Sequence, residues 1–379
     1  MVAPNDCFVS SPATPASIAS LPRADWSGAR VKARDRTTNL GAGAWPHWKT
    51  GPRLGARDKT MDTFASRSTP PPGAENGGLS DELLVALYEH MVLARTLDAM
   101  AASSREGSRE HATGCAPDPR PGAVDDEATI LGAVAAMQDQ DWVFPGARGA
   151  TAGLWRGMPL AAYTRQLFVR AGDGGGEARE ARWAPDAPFW KAARVASVSP
   201  LVGTQIPHAV GLAWAARMRK DDVAALVFLD ESAKSSGDFH AALNFAGVMR
   251  APVVAVCRSS AARNPTSIAY GLHGATVDGA DVEAVVGAVR QARRRAAAGL
   301  GGTLVEAVVA EDPVARTRGH LERRGLWNAE RERRLQGDVG EDVERALDEA
   351  RAADRPARGT LFDDVYAGLT WPLREQRRT

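Results

Sequence analysis

One continuous stretch, residues 223–260, constrains the fold of this chain more than any other. It reads VAALVFLDESAKSSGDFHAALNFAGVMRAPVVAVCRSS: an apolar run, an acidic turn, a helical segment over Gly237 to Met249, and an apolar run ending at Cys257. Strands and helices that alternate in this way form parallel sheets covered by helices. Ligands of such sheets bind beyond the carboxyl ends of the strands, so Asp230 to Ser236 are predicted to line any small-molecule site.

The same alternation continues through the rest of the chain from Leu79 onward. Helices are predicted at residues 81–101, 127–137 and 281–298, and strands at residues 142–144, 274–277 and 303–309. Ser80 is placed to cap the first helix. From Pro313 the chain is charged and helical, and it closes with an apolar segment suited to docking, LFDDVYAGLTWPLREQ. The predicted fold class is α/β, with a mainly parallel sheet covered by helices on both faces.

The first 79 residues differ in character from the domain predicted at residues 80–379. They are rich in Ala, Gly, Pro, Ser, Thr and Arg and show no sustained apolar period. Such a composition is typical of a disordered tail. Trp26, Trp45 and Trp48 allow two interpretations, either docking on a partner or isolated aromatic residues in a flexible segment.

Composition excludes several classes of function. A formal net charge of +1 and a pI near 7.8 argue against a dedicated nucleic-acid binder. The three cysteines are far apart, which suggests neither a disulfide framework nor a zinc site and favours the cytoplasm. The sequence contains no apolar run of about 18 residues, so membrane insertion is not expected.

Five segments carry a family resemblance. In chain order they are DWVFPGAR, VGTQIPHAVGLAWAARMR, GDFHAALNFAGVMRAPVVAVC, HLERRGLW and LFDDVYAGLTWPLREQ. Together they resemble the alpha subunit of bacterial branched-chain 2-oxo acid dehydrogenase, the decarboxylating first component. The resemblance implies a thiamine-diphosphate-binding fold, a beta subunit as partner in a heterotetramer, and a lipoyl acyltransferase core that receives the acyl group.

The resemblance also implies site residues. The family holds thiamine diphosphate through magnesium, and its metal-ligand positions fall on Glu231 and Ser260. Its cofactor-contacting positions fall on four further residues: Arg148, Val202, Ser232 and Ala233. Arg148 follows a predicted strand, where it either meets an anion or is a solvated surface arginine. No catalytic residue is predicted in this chain, because the resemblance assigns the acid/base glutamate to the beta subunit.

The chain departs from the family at its cofactor motif. The family's Gly-Asp-Gly falls on Asp230, Glu231 and Ser232, and its Asn-Asn pair on Ser259 and Ser260. Both glycines that let a phosphate approach backbone amides are therefore replaced. Two active-site loops, after Ser260 and after Val309, are also shorter than the family pattern.

These departures predict a catalytically impaired, structural or regulatory alpha-like subunit. One alternative is an active thiamine-diphosphate-dependent dehydrogenase subunit, and another is a binding module for a different anion that uses Arg148, Lys234 and Arg258. Glu231 is predicted to pair with Lys234 or Arg258, unless all three are solvated. His208 and His240 are placed inside helices with apolar surroundings, so no nucleophilic mechanism is assigned to them.

Overall fold

The protein is described by a computed structural model that covers residues 78–106, 125–146, 149–168, 192–196, 202–259, 270–352, 362 and 368–378. These residues lie within one compact unit, Lys59–Thr379. The predicted disordered tail lies outside the described residues, apart from its last two positions. Arg148 and Ser260 also lie outside them.

Within the described ranges, five strands form one sheet in which every neighbouring pair is parallel. The strands are β1 (Trp142–Phe144), β2 (Ala225–Asp230), β3 (Val253–Ser259), β4 (His273–Asp278) and β5 (Thr303–Val308). Their order across the sheet is β1-β2-β3-β5-β4, so the chain passes from β3 to the edge strand β4 and then inserts β5 between them. The parallel sheet predicted from the sequence is confirmed.

Helices cover both faces of this sheet, as predicted. The helices of the described residues are α1 (Asp81–Glu106), α2 (Glu127–Ala135), α3 (Ala152–Trp155), α4 (Leu160–Phe168), α5 (Gln205–Arg219), α6 (Gly237–Met249), α7 (Val282–Ala297), α8 (Pro313–Arg323), α9 (Ala329–Ala352) and α10 (Trp371–Arg378). Helices α5 and α6 share one apolar core with alternate strand residues such as Ala255. The larger core on the opposite face takes the intervening residues, such as Val254 and Val256, together with α1, α2, α7, α8 and α9. Burial on both faces explains the continuous apolar runs of the central strands.

Local signals in the sequence set the starts of several helices. The Ser80 hydroxyl accepts a hydrogen bond from the Leu83 amide at 3.2 Å, which confirms the predicted cap of α1. The Asp281 carboxylate caps α7, and the Asp312 carboxylate caps α8. Among the described residues, no helix combines the length and the apolarity needed to cross a bilayer.

The glycine at position 247 permits a close approach between α6 and the segment before β4. A methyl group at Gly247 would lie 1.7 Å from the backbone oxygen of Tyr270, whereas one at Gly211 in α5 would meet no atom within 4 Å. We therefore expect Gly247→Ala to destabilise the fold by roughly 1–3 kcal/mol through overpacking. The matched variant Gly211→Ala is expected to stabilise it by about 0.5–1 kcal/mol, because alanine favours the helix. Urea unfolding of both variants is the measurement, and equal shifts of the same sign would contradict this close contact.

Candidate functional site

The candidate site lies at the carboxyl edge of the sheet, where β2 leads into a short turn. We call residues 230–236 the β2 turn; it contains a 3-10 helix, Glu231–Ser235, and leads directly into α6. The Asp230 carboxylate accepts hydrogen bonds from the Ser232 hydroxyl at 2.5 Å and from the Ala233 amide at 3.3 Å. The Ala233 amide of this turn is thus already bound by the turn's own carboxylate.

The end of the β2 turn is closed in the same manner. The Ser236 hydroxyl accepts a hydrogen bond from the Phe239 amide at 3.2 Å and donates one to the Ala233 carbonyl at 2.8 Å. It is the N-cap of α6, and it satisfies one of the unpaired amides at that helix end. Both ends of the turn are therefore hydrogen-bonded internally.

A second loop is packed directly against the β2 turn. Gly203 has a φ of +88°, and a methyl group there would lie 2.6 Å from the Ser236 hydroxyl oxygen, so this position requires glycine. The contact brings Val202, a residue that is 55% exposed, close to the turn. In the same region, the buried side-chain amide of Gln205 donates to the carbonyl of Phe228 in β2 at 2.8 Å.

Lys234 reaches from the β2 turn across the sheet. Its ammonium donates a hydrogen bond of 2.9 Å to the Glu306 carboxylate on β5, and their side chains are only 17% and 2% exposed. Because β3 lies between β2 and β5, the lysine spans the end of β3 near Cys257, which is level with Glu306. Burial disfavours the ammonium, but the hydrogen bond to Glu306 and the charges of Glu306 and Glu231 raise the pKa of Lys234 above its ordinary value. Lys234 therefore carries its charge at neutral pH.

The thiol of Cys257, which lies close to Lys234, is unreactive at neutral pH. Burial raises the pKa of the Cys257 thiol to about 12; Lys234 acts in the opposite direction, and the nearby carboxylates add to the rise. A thiol of this kind stays protonated at neutral pH and is a poor nucleophile. The structure therefore gives no support to a cysteine mechanism at this edge.

The pairing predicted for Glu231 with Lys234 or Arg258 stays a prediction, while both cations have a further carboxylate partner. Glu231 is among the charges that raise the pKa of Lys234, but the lysine's hydrogen-bonded partner described here is Glu306. Arg258, at the end of β3, forms an ion pair with Asp126 just before α2. The prediction did not include Glu306, although its sequence signal was a single charged residue inside the buried run TLVEAVV.

The predicted site residues divide into two groups. Val202, Glu231, Ser232 and Ala233 lie in or beside the β2 turn, whereas Arg148 and Ser260 fall outside the described residues. The neighbours of this second pair still reach the same edge of the sheet. A methyl group at Gly146 would contact the Phe228 carbonyl at 3.3 Å, and Ser259 ends β3. Their roles toward a cofactor stay predictions.

The two histidines differ from expectation. His208 and His240 lie in α5 and α6 as predicted, but both are exposed rather than surrounded by apolar side chains. The His240 ring nitrogen Nδ1 lies 2.5 Å from the Tyr270 hydroxyl. The apolar stripe on each helix faces the sheet, and the histidines fall on the opposite side. Within the described part of the chain, no three His, Cys, Asp or Glu side chains converge as metal ligands.

Comparison with known proteins agrees with this architecture. The profile of the family described as "Dehydrogenase E1 component" matches residues 88–310. The 2-oxoisovalerate dehydrogenase subunit alpha of Bacillus subtilis is 32% identical over 331 residues, which cover 76% of this chain and 97% of that protein. The mitochondrial 2-oxoisovalerate dehydrogenase subunit alpha 2 of Arabidopsis thaliana is 30% identical over 340 residues, covering 79% of this chain and 69% of the relative.

A relative named for a different substrate has a similar sequence identity to this chain. The pyruvate dehydrogenase E1 component subunit alpha of Staphylococcus aureus is 29% identical over 339 residues, covering 79% of this chain and 86% of that protein. The similarity thus extends across the sheet and its covering helices rather than one motif. This chain belongs to the dehydrogenase E1 component family and is related to the alpha subunits of 2-oxo acid dehydrogenases.

Proposed function

We propose that this chain is an alpha-like subunit of a 2-oxo acid dehydrogenase assembly that does not hold thiamine diphosphate and magnesium in the family manner. The observation that carries the proposal is the β2 turn, which is closed by its own carboxylate. The Asp230 carboxylate accepts a hydrogen bond from the Ala233 amide of the same turn. Asp230 stands at the position where the resemblance has a glycine. On this proposal the chain acts as a structural or regulatory subunit.

The chemistry of the turn supports the same conclusion. Magnesium requires near-octahedral oxygen ligands, and the diphosphate brings several negative charges. The β2 turn already presents the carboxylates of Asp230 and Glu231, which would repel the diphosphate. The neighbouring cation, Lys234, is engaged by Glu306. The described residues therefore do not fit this group, and no reaction step is assigned through it.

The proposed partner is a beta subunit, and through it a lipoyl acyltransferase core. The relatives in Bacillus subtilis and Arabidopsis thaliana are themselves named alpha subunits. The outer side of α5 and α6 exposes a set of large apolar side chains: Met218, Phe245, Val248 and Met249. Exposed apolar patches of this kind mark protein interfaces. The surface thus supports a role in assembly.

The test is calorimetric titration of thiamine diphosphate with magnesium into the full chain, alone and mixed with a cognate beta subunit. We expect a stable complex with the beta subunit on a sizing column and no magnesium-dependent heat in either titration. Binding at micromolar affinity, about 8 kcal/mol, would contradict the proposal. It would instead support the active enzyme, in which Glu231 and Ser260 bind the metal.

The active enzyme remains the main alternative because the similarity covers most of the chain and retains Val202 at a cofactor-contacting position. A binding module for another anion has less support. Two of the three cations predicted for it, Lys234 and Arg258, are already paired with the carboxylates of Glu306 and Asp126. The third, Arg148, lies outside the described residues.

A further inference from the structure

We propose that the ammonium of Lys234 is a built-in cation that takes the place of the divalent metal ion at the carboxyl edge of the sheet. The inference rests on the proposed function, because it supplies the reason why the family's metal is not held. It also goes further, since it assigns the metal's electrostatic role to one side chain of this chain. That role is to neutralise the carboxylates of Glu231, which follows β2, and of Glu306, which lies within β5.

The position of Lys234 supports this role. It lies three residues after Glu231, within the same 3-10 helix of the β2 turn, so both side chains start from the predicted metal loop. Its side chain then extends over the end of β3 to Glu306 on β5, at 2.9 Å. The ammonium therefore links the β2 turn to β5 across the intervening strand β3, on the face of the sheet covered by α5 and α6.

The charge balance of the edge supports it independently. Glu306 is a carboxylate on an inner strand whose side chain is 2% exposed, and a buried charge of this kind requires a counter-charge. Lys234 supplies that charge, and Glu231 lies in the same electrostatic environment. A divalent cation entering here would be repelled by the ammonium at short range.

The same features argue against a covalent role for the lysine. Nucleophilic lysines need a depressed pKa, so that the neutral amine is present at neutral pH. In Lys234 burial acts in that direction, but the hydrogen bond to Glu306 and the nearby negative charges raise the pKa instead. Lys234 is therefore an electrostatic and positioning residue.

The test uses Mn²⁺ as the probe and counts the free ion by electron paramagnetic resonance in the presence of the full chain. Lys234→Ala removes the ammonium, and Lys234→Gln keeps a hydrogen-bond donor for Glu306 in case the alanine variant does not fold. We expect at least one of the folded variants to bind Mn²⁺ with a Kd about tenfold or more below that of the wild type. The gain should disappear when Glu231→Gln is added. Lys220→Ala is the matched control, because Lys220 is an exposed lysine at the far end of α5 and its removal should change nothing.

Two outcomes would overturn the inference. One is that neither folded variant binds Mn²⁺ more tightly than the wild type, and the other is that the gain persists when Glu231→Gln is added. The Mn²⁺ titrations of the wild type and the variants contain neither thiamine diphosphate nor a beta subunit. Failure here is therefore separate from failure of the proposed function, which is decided by the calorimetric titration of the wild-type chain with its partner.

Discussion

Replacing Asp141 with alanine is expected to destabilise the folded chain by about 3–5 kcal/mol, because it breaks a buried ion pair and leaves Arg293 with the more exposed Asp222 carboxylate as its counter-charge. The Asp141 side chain is fully buried and lies 3.1 Å from Nε of Arg293, itself only 7% exposed. The carboxylate also accepts hydrogen bonds from the amides of Gln138 at 2.9 Å and Ala224 at 2.8 Å. It thereby joins the loop before β1, the start of β2 and helix α7 at the amino edge of the sheet.

Urea unfolding followed by circular dichroism measures this loss. The control is Asp221→Ala, which removes a surface ion pair with Arg219 at 3.0 Å in which both side chains are largely solvated. Such pairs contribute about 0–1 kcal/mol, so the control should unfold almost as the wild type does. If Asp141→Ala and Asp221→Ala lost equal stability, the Asp141 carboxylate would not hold together the loop before β1, the start of β2 and helix α7. Because Asp141 lies at the edge opposite the β2 turn, the Mn²⁺ and thiamine diphosphate titrations should not change in any Asp141 variant that remains folded.

The regular elements around the β2 turn follow from local sequence patterns. The apolar run that ends near Leu229 and the helical segment Gly237 to Met249 are found as β2 and α6 because burial on both faces demands continuous apolar residues and Ser236 caps the helix. The placement of the candidate site also follows, since loops after parallel strands share one edge. Helix α1 is the exception, because it continues to Glu106 rather than ending near Ala101.

The pairings inside the site do not follow from local patterns. Lys234 and Glu306 are 72 residues apart and meet because β5 inserts next to β3, a strand order that no local pattern specifies. For the same reason the sequence suggested Glu231 or solvent as the partner of Lys234. The exposed positions of His208 and His240 depend on which side of each helix faces the sheet, and the small residues along α5 and α6 leave that choice ambiguous.

Replacing Lys234 with methionine is expected to lower the free energy of unfolding by about 3–5 kcal/mol, since it leaves the buried Glu306 carboxylate without a counter-charge. The double variant Lys234→Met, Glu306→Met should regain most of that loss, because two apolar side chains of similar volume can replace a buried ion pair with little change in stability. The raised pKa of Lys234 means that the pair contributes fully below the ordinary lysine value of 10.5 and is lost only as pH rises through the higher folded-state value. Unfolding at neutral pH therefore reports the intact pair.

The double-mutant cycle also separates two roles that a single variant would confuse. If the Lys234 side chain served only to fill space, Lys234→Met would leave the free energy of unfolding almost unchanged. Glu306→Met would then cause the same loss of stability with or without Lys234→Met. If it is the counter-ion of the carboxyl edge, the two substitutions should be strongly non-additive, with a coupling of at least about 1 kcal/mol. Lys220→Met supplies the matched exposed lysine, for which no coupling to Glu306 is expected. A large coupling together with Mn²⁺ uptake by Lys234→Ala or Lys234→Gln would mean that this chain replaces a diffusible cation with one attached to its own backbone.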